Sequence, residues 1–302
     1  MTQTNEGNIK SYADHFFLSA DFTIQLKQRI QNASQEISMP DGIVCHKQGT
    51  NGKKFLFLFR LLPNGVILQK EEDNRYGVGF LSGTNEEAMY GQVLYHNKKE
   101  AGIIRKENDQ IFLQIFPECT CKTGDICELK AQLICKGNML YGSNLTSIIS
   151  SYLWENCVNK LNNIEKEIYF TLVNEAICGT GGYLEAVKII NPDYTVLISC
   201  VPDQEGCKMG DGPALALKNG NAVIGLEMKK KFETIAKNAD LMFQNFVGKT
   251  DKTAELLSIC GTREGFAEIC IPVRYENQLF AESDWKDVEK TLNFLLKIIY
   301  EL

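Results

Sequence analysis

Residues 265–282, GFAEICIPVRYENQLFAE, and the residues that follow them, SDWKDVEKTLNFLLKIIYEL at 283–302, decide how this chain is read. Apolar and β-branched residues fill 267–274, Tyr275-Glu276-Asn277 forms a turn, and 278–282 returns as a second strand. Ser283 is the expected N-cap of a helix over 285–302, with Lys286 and Asp287 in its first turn. Strand, turn, strand and helix in that order predict an antiparallel layer with a helix laid across one face.

Working back along the chain, YTVLISCV before Pro202 is the clearest buried strand, and Lys218-Asn219-Gly220-Asn221 reads as a hairpin between 214–217 and 222–226. Met228, Phe232, Ile235, Ala236, Ala239 and Met242 recur at helical spacing and predict an amphipathic helix over 227–246. From 144 onward Leu145, Ile148, Ile149, Leu153, Val158 and Leu161 mark another helical face. Ile168, Leu172 and Val173 extend it over 164–177 as a linking helix. Before that boundary the chain is β-rich. Phe55, Phe57 and Phe59 alternate on one strand, and Pro63-Asn64-Gly65 predicts a tight hairpin that returns as 66–70. Further strands fall at 77–81, 91–95, 102–105, 111–116 and 129–135. Their even spacing predicts a meander or small barrel. Phe16, Phe17, Ala20, Phe22, Ile24, Leu26, Ile30 and Ala33 place one or two helices over 9–37, stopped at Ser38-Met39-Pro40-Asp41-Gly42.

The expected fold class is therefore α+β in two parts. Residues 1–143 form an N-terminal helix and an antiparallel β-rich domain. Residues 144–302 form a mixed α+β domain with a central antiparallel sheet. The strand–turn–strand–helix at 265–302 resembles the end of GAF- and PAS-type sensor domains. That resemblance implies a small-molecule pocket on one face of the sheet, closed by helices, although no cofactor-attachment or metal-ligand signature accompanies it. Ile177-Cys178-Gly179-Thr180 recurs as Ile259-Cys260-Gly261-Thr262, and chance is the preferred reading of so short an echo.

Composition narrows the function classes. With 302 residues, 44% hydrophobic and 23% charged, the chain has enough apolar surface for a large core. A net charge of −6 argues against a protein built to neutralise phosphates, so nucleic acid is not an expected partner. The polar N-terminus and the lack of a long apolar run predict no signal peptide and no transmembrane segment, hence a cytoplasmic location. Eleven cysteines, an odd number, predict reduced thiols and not a disulfide scaffold.

Three groups of residues carry possible chemistry. Cys119, Cys121, Cys127 and Cys135 form the densest thiol cluster, spaced Cys-x-Cys-x5-Cys-x7-Cys. Zinc needs four such donors in a tetrahedron, but the first pair is tighter than the usual Cys-x2-4-Cys knuckle. Ordinary strand and loop thiols are preferred over zinc on sequence alone. Cys178 precedes Gly179-Thr180-Gly181-Gly182, whose backbone amides would suit an oxyanion. Only three histidines exist, and His96 is the base that Cys178 or Cys45 would need. Cys45 and His46, being adjacent, point apart on a strand. Asp203, Glu205 and Asp211 surround the loop GCKMGDGP at 206–213, a place for ligand-binding groups beyond a strand end. P-loop, dinucleotide, serine-elbow and zincin motifs are absent from the sequence.

The leading expectation is a non-catalytic intracellular protein whose C-terminal domain binds a small molecule or a protein partner, with Asp203, Glu205 and Asp211 at its ligand site. The alternative is a cysteine-dependent enzyme (peptidase, acyltransferase or transglutaminase-like) using Cys178 or Cys45 with His96.

Overall fold

The computed structural model describes residues 1–15, 28–30, 35–39, 42–161, 164–249, 251–260, 262–276 and 278–302. The helical reading of Phe16 through Leu26, the turn residues Pro40 and Asp41, and Gly261 and Asn277 lie outside the described residues.

Helix α1 (Gln3–His15) is followed by strands β1 (Gln35–Met39), β2 (Gly42–Lys47) and β3 (Asn51–Leu61). Next come β4 (Gly65–Glu72), β5 (Arg75–Phe80), the one-turn helix α2 (Glu86–Met89), β6 (Val93–His96), β7 (Lys99–Glu107), β8 (Gln110–Ile115) and β9 (Ile126–Leu129). Strands β10 (Gln132–Lys136) and β11 (Met139–Ser143) lead into helix α3 (Leu145–Lys160). Strand β12 (Lys166–Asn174), helices α4 (Glu175–Cys178) and α5 (Gly181–Ile190), and strands β13 (Tyr194–Pro202), β14 (Ala214–Asn219) and β15 (Ala222–Val223) follow. The chain continues with helix α6 (Leu226–Asn238), β16 (Gln244–Gly248), helix α7 (Lys252–Cys260), β17 (Gly265–Val273), β18 (Ala281–Asp284) and helix α8 (Trp285–Glu301).

Among the described residues nine strands join one sheet in the order β1-β2-β12-β3-β13-β17-β14-β15, with β16 beside β14. Its middle is parallel: β3 pairs with both β12 and β13, and β13 pairs with β17. Side chains alternate across a strand, so a strand buried on both faces reads as a continuous apolar run. That is why KKFLFLFRL has no polar face. Phe55, Phe57 and Phe59 enter the core under α3, α6 and α8, while Leu56 and Leu58 enter the core under α5 and α7. Phe57 stacks on Phe170 of β12, with ring centroids 5.6 Å apart. The result is a helix–sheet–helix layering.

This arrangement corrects the expected central antiparallel sheet and the GAF- or PAS-like layout. Nor does a boundary at 143/144 divide the sheet, because β3 from the first part lies between β12 and β13 from the second. The stretch at 164–177 gives the physical reason for the misreading. KEIYFTLVN was assigned to a helix, but β12 is buried along nearly its whole length. A short apolar run buried on both faces has no period that separates strand from helix. The helix expected over 227–246 also stops at Asn238, where β16 takes over the remainder.

Between β3 and α3 the chain leaves the sheet to build a closed barrel, β4-β5-β8-β7-β6-β9. It has its own core of Val66, Leu68, Tyr76, Leu94, Ile104 and Leu113. Leu129 N donates to Asn64 O at 2.9 Å, so the barrel leaves and rejoins the rest of the molecule at one point. A small third sheet runs in the order β10-β11-β18.

Helix α8 covers the sheet with Trp285, Val288, Leu292, Leu295, Ile298 and Ile299, all essentially inaccessible to solvent. Its N-cap is Asp284, not Ser283: the Asp284 carboxylate accepts from Lys286 N at 2.8 Å. Ser283 lies within β18 and donates to Pro272 O at 3.1 Å.

Candidate active site at the strand ends

In open parallel sheets, ligands gather beyond the carboxyl ends of the strands, where loops diverge. Here those ends present charge. Arg60, the penultimate residue of β3, is almost fully buried. It donates through Nε to Glu175 Oε2 at 2.7 Å and through Nη2 to Glu175 Oε1 at 2.9 Å, a two-pronged pair. Its Nη1 donates to Asp251 Oδ2 at 2.6 Å. Glu175 follows β12 directly and also accepts from Tyr183 OH and Thr253 Oγ1, each at 2.8 Å. Asp251 accepts from Thr253 N at 2.9 Å and Ala254 N at 3.0 Å, which caps α7. Burial works against the Arg60 charge, but Glu175 and Asp251 outweigh it and hold the guanidinium above its usual range.

Two further carboxyls stand at this edge. Glu268 on β17 is buried and accepts from Ser199 Oγ at 2.5 Å and Asn219 Nδ2 at 3.0 Å. Burial pushes it upward. Glu276 lies just past β17 and is pushed up from 4.5 to about 7, chiefly by burial; Arg60 pulls it down and Asp251 adds to the rise. The residue before it, Tyr275, sits at φ 56°, a left-handed conformation that costs a bulky residue energy and fixes the turn. Glu276 lines a cavity of about 90 Å³ together with Asn64, Asn144, Thr146 and Gln278. That volume has room for roughly three waters, or for one end of a larger molecule.

A hydrolytic metal ion needs three or four histidine or carboxylate donors aimed at one point. These residues do not fit that requirement, because Glu175 and Asp251 both converge on the Arg60 guanidinium. Among the described residues, a metal-ligating group of three occurs in the barrel instead, at His96, Cys121 and Cys127.

The residues singled out from sequence are dispersed. Asp203 pairs with Arg274 at 2.5 Å and accepts from Met209 N at 3.3 Å, whereas Glu205 and Asp211 are exposed and do not converge with it. The loop between them is organised by Asp287 of α8, whose carboxylate accepts from Gly210 N at 2.7 Å and Gly212 N at 2.8 Å. Cys178 ends α4 and donates to Asn174 O at 2.9 Å. Cys45 is buried in the core beneath α3, while His46 on the opposite face stacks on Tyr169 with centroids 4.4 Å apart. His96 sits in the barrel wall, with Nδ1 3.0 Å from Ile126 O, and is brought to neither Cys178 nor Cys45. Cys119, Cys121 and Cys127 do meet in the barrel, with burial pushing Cys121 up to about 12 and Cys127 further. Cys135 lies apart on β10, against the main core. Sequence reasoning missed Arg60, Glu175 and Asp251. The one available signal was an arginine closing an otherwise apolar strand.

The fold is shared with solved structures of proteins named as aminopeptidases. A TET aminopeptidase from a marine-sediment archaeon of the Thaumarchaeota superposes with a TM-score of 0.84 at 16% identity, covering 100% of this chain and 98% of that one. The TET1 peptidase of Pyrococcus horikoshii, described as assembling into a tetrahedron or a large octahedral shell, matches with a TM-score of 0.79 at 16% identity, over 93% of this chain and 94% of that one. By sequence, a putative aminopeptidase of Acetivibrio thermocellus is 23% identical over 186 residues, 58% of this chain and 56% of that one. The chain thus spans about half the length of that curated relative. No family model matches the sequence. These likenesses overturn the expectation of a non-catalytic ligand-binding or regulatory protein: the solved structures that share the fold are named as aminopeptidases or peptidases and, in a Thermotoga maritima protein, as an endoglucanase. No helix among the described residues is long and apolar enough to cross a membrane.

Proposed function

We propose that this chain is a peptidase of the aminopeptidase type, acting on peptide ends at the carboxyl edge of the parallel strands. The observation that carries the reading is Glu276, which titrates near neutrality at the rim of a small cavity in the place where parallel sheets hold ligands. Amide hydrolysis needs water activated for attack and a proton delivered to the leaving nitrogen. A group whose pKa lies near the working pH serves both steps best. Glu276 fills that role, close enough to Arg60 and Asp251 for both to act on its charge. Arg60 holds Glu175 and Asp251 in place. The cavity accepts a chain terminus more readily than a folded segment. A cytoplasmic location and assembly into a multi-copy shell belong to the same reading. Their support is the manner of assembly described for the Pyrococcus horikoshii peptidase.

The test is incubation with short peptides bearing free or acetylated amino termini, followed by mass spectrometry. Removal of single amino-terminal residues from the free peptides alone is expected. Glu276→Gln should lower kcat by about 10²–10⁴ and abolish the inflection near pH 7 in kcat/KM. A folded chain that cleaves no peptide of either kind would sink the proposal.

A further inference from the structure

The barrel contains a second constellation, unconnected with the strand-end site. The loop 116–125 between β8 and β9 carries Cys119 and Cys121, and β9 carries Cys127, which is fully buried. A ring nitrogen of His96 and the sulfurs of Cys121 and Cys127 all lie within 4.8 Å of one another. The Sγ atoms of Cys119 and Cys121 are 3.2 Å apart. That separation is too long for a disulfide, whose S–S bond is about 2.05 Å. Tetrahedral thiolates at about 2.3 Å from zinc stand roughly 3.8 Å apart. The two sulfurs therefore need to part by only about half an ångström.

The surroundings are built to hold these donors. Tyr76 OH donates to Cys121 O at 2.7 Å, Thr123 Oγ1 donates to Gln69 O at 2.7 Å, and Gly124 N donates to Leu68 O at 2.8 Å. Lys122 N donates to Asp125 Oδ2 at 2.9 Å, closing the loop on itself. Gly124, at φ +91°, permits the reversal that brings Cys119 and Cys121 back over Cys127. On the other side, a carbonyl 3.0 Å from His96 Nδ1 fixes the tautomer with the proton there. Metal-bound imidazoles are characteristically oriented by such a bond. The lone pair then resides on Nε2, where the Asn97 amide at 2.8 Å is the contact a metal would displace. Asp125 Oδ2 lies 3.6 Å from Nε2.

The geometry points to a structural zinc site formed by Cys119, Cys121, Cys127 and His96, clamping the β8–β9 loop onto the barrel. Three thiolates and one imidazole are a closed tetrahedral set for zinc, with no position left for water or substrate. On binding, the three thiol protons pass to solvent and four metal–donor bonds form. Cys135 takes no part.

The full chain, purified without chelator, is to be measured by native mass spectrometry and elemental analysis. One zinc per chain is expected. Cobalt substitution should give thiolate-to-cobalt charge-transfer absorption, and Cys135→Ser should keep full occupancy. Cys121→Ser and His96→Ala should each lose the metal. Should those two variants fail to fold, the wild-type stoichiometry and the Cys135→Ser result still decide. A chain that stays metal-free when grown and refolded with zinc overturns the site, as does a Cys119–Cys121 disulfide found by peptide mapping. Loss of metal in Cys135→Ser would replace His96 with Cys135 and overturn the assignment made here.

Discussion

Arg60 shows how one side chain can decide the character of a site. It holds two carboxylates from separate segments, Glu175 after β12 and Asp251 before α7, and all three are shielded from water. In that setting a pair is worth little against an apolar replacement of the whole, but removing one member strands the others. Arg60→Met is therefore expected to destabilise the fold by about 3–5 kcal/mol, read as a shift in the urea midpoint at constant slope. The triple replacement with Glu175→Gln and Asp251→Asn should recover much of that loss. If the single variant unfolds like the wild type, the pair is not the anchor described. None of this was legible beforehand. Ion pairs across 115 and 191 residues leave no trace in local spacing. Glu276 was seen only as a turn residue, because burial rather than sequence neighbours sets its titration.

At the scale of the element, period and punctuation were read with mixed success. The alternation over 55–59 was legible and β3 stands there, but Pro63-Asn64-Gly65 does not close the expected hairpin, because β3 pairs with β12 and β13 while β4 pairs with β5 and β9 in the barrel. Helix α8 was legible as well, since its apolar face repeats at three and four residues over five turns. Its start at Trp285 was read correctly, but its N-cap was misplaced by one residue. Either Ser283 or Asp284 has an oxygen able to cap, and the choice was settled by β18, which draws Ser283 into a strand paired with β11. Replacing Asp284 by Ala is expected to cost about 1 kcal/mol, measured as a lowered thermal midpoint, while Asp284→Ser should retain most of the stability. Equal losses in the two variants would mean that the cap contributes nothing. β12 shows the opposite failure. Its aromatic and β-branched run was long enough to be mistaken for the continuation of α3, and only its pairing between antiparallel β2 and parallel β3 distinguishes it.

For the whole molecule, the decisive matter is that parallel neighbours need long connections. The connection from β3 to β12 contains the entire barrel and α3, so two strands adjacent in space are more than a hundred residues apart in sequence. An antiparallel meander can be read from local turns; a sheet ordered β2-β12-β3-β13-β17 cannot. The same topology makes the halves interdependent. Residues 144–302 expressed alone lack β3, leaving an open slot between β12 and β13. That fragment is expected to show no cooperative unfolding transition by circular dichroism, and a fragment that melts sharply would restore the two-part description. The thiol cluster, by contrast, was partly legible, since three of its cysteines fall within nine residues. Its histidine came from a strand more than twenty residues upstream, which only barrel closure brings near.

The hydrogen bond from Leu129 N to Asn64 O gives the barrel a narrow neck. Beyond that neck the barrel still meets the sheet's edge, where Leu279 packs on its core and Gly83 lines the cavity beside Glu276. Sheet and barrel therefore evolve under different demands: the first is constrained by the packing of its two helical layers, the second by bringing its own ends back together and by the cavity wall it lends to Glu276.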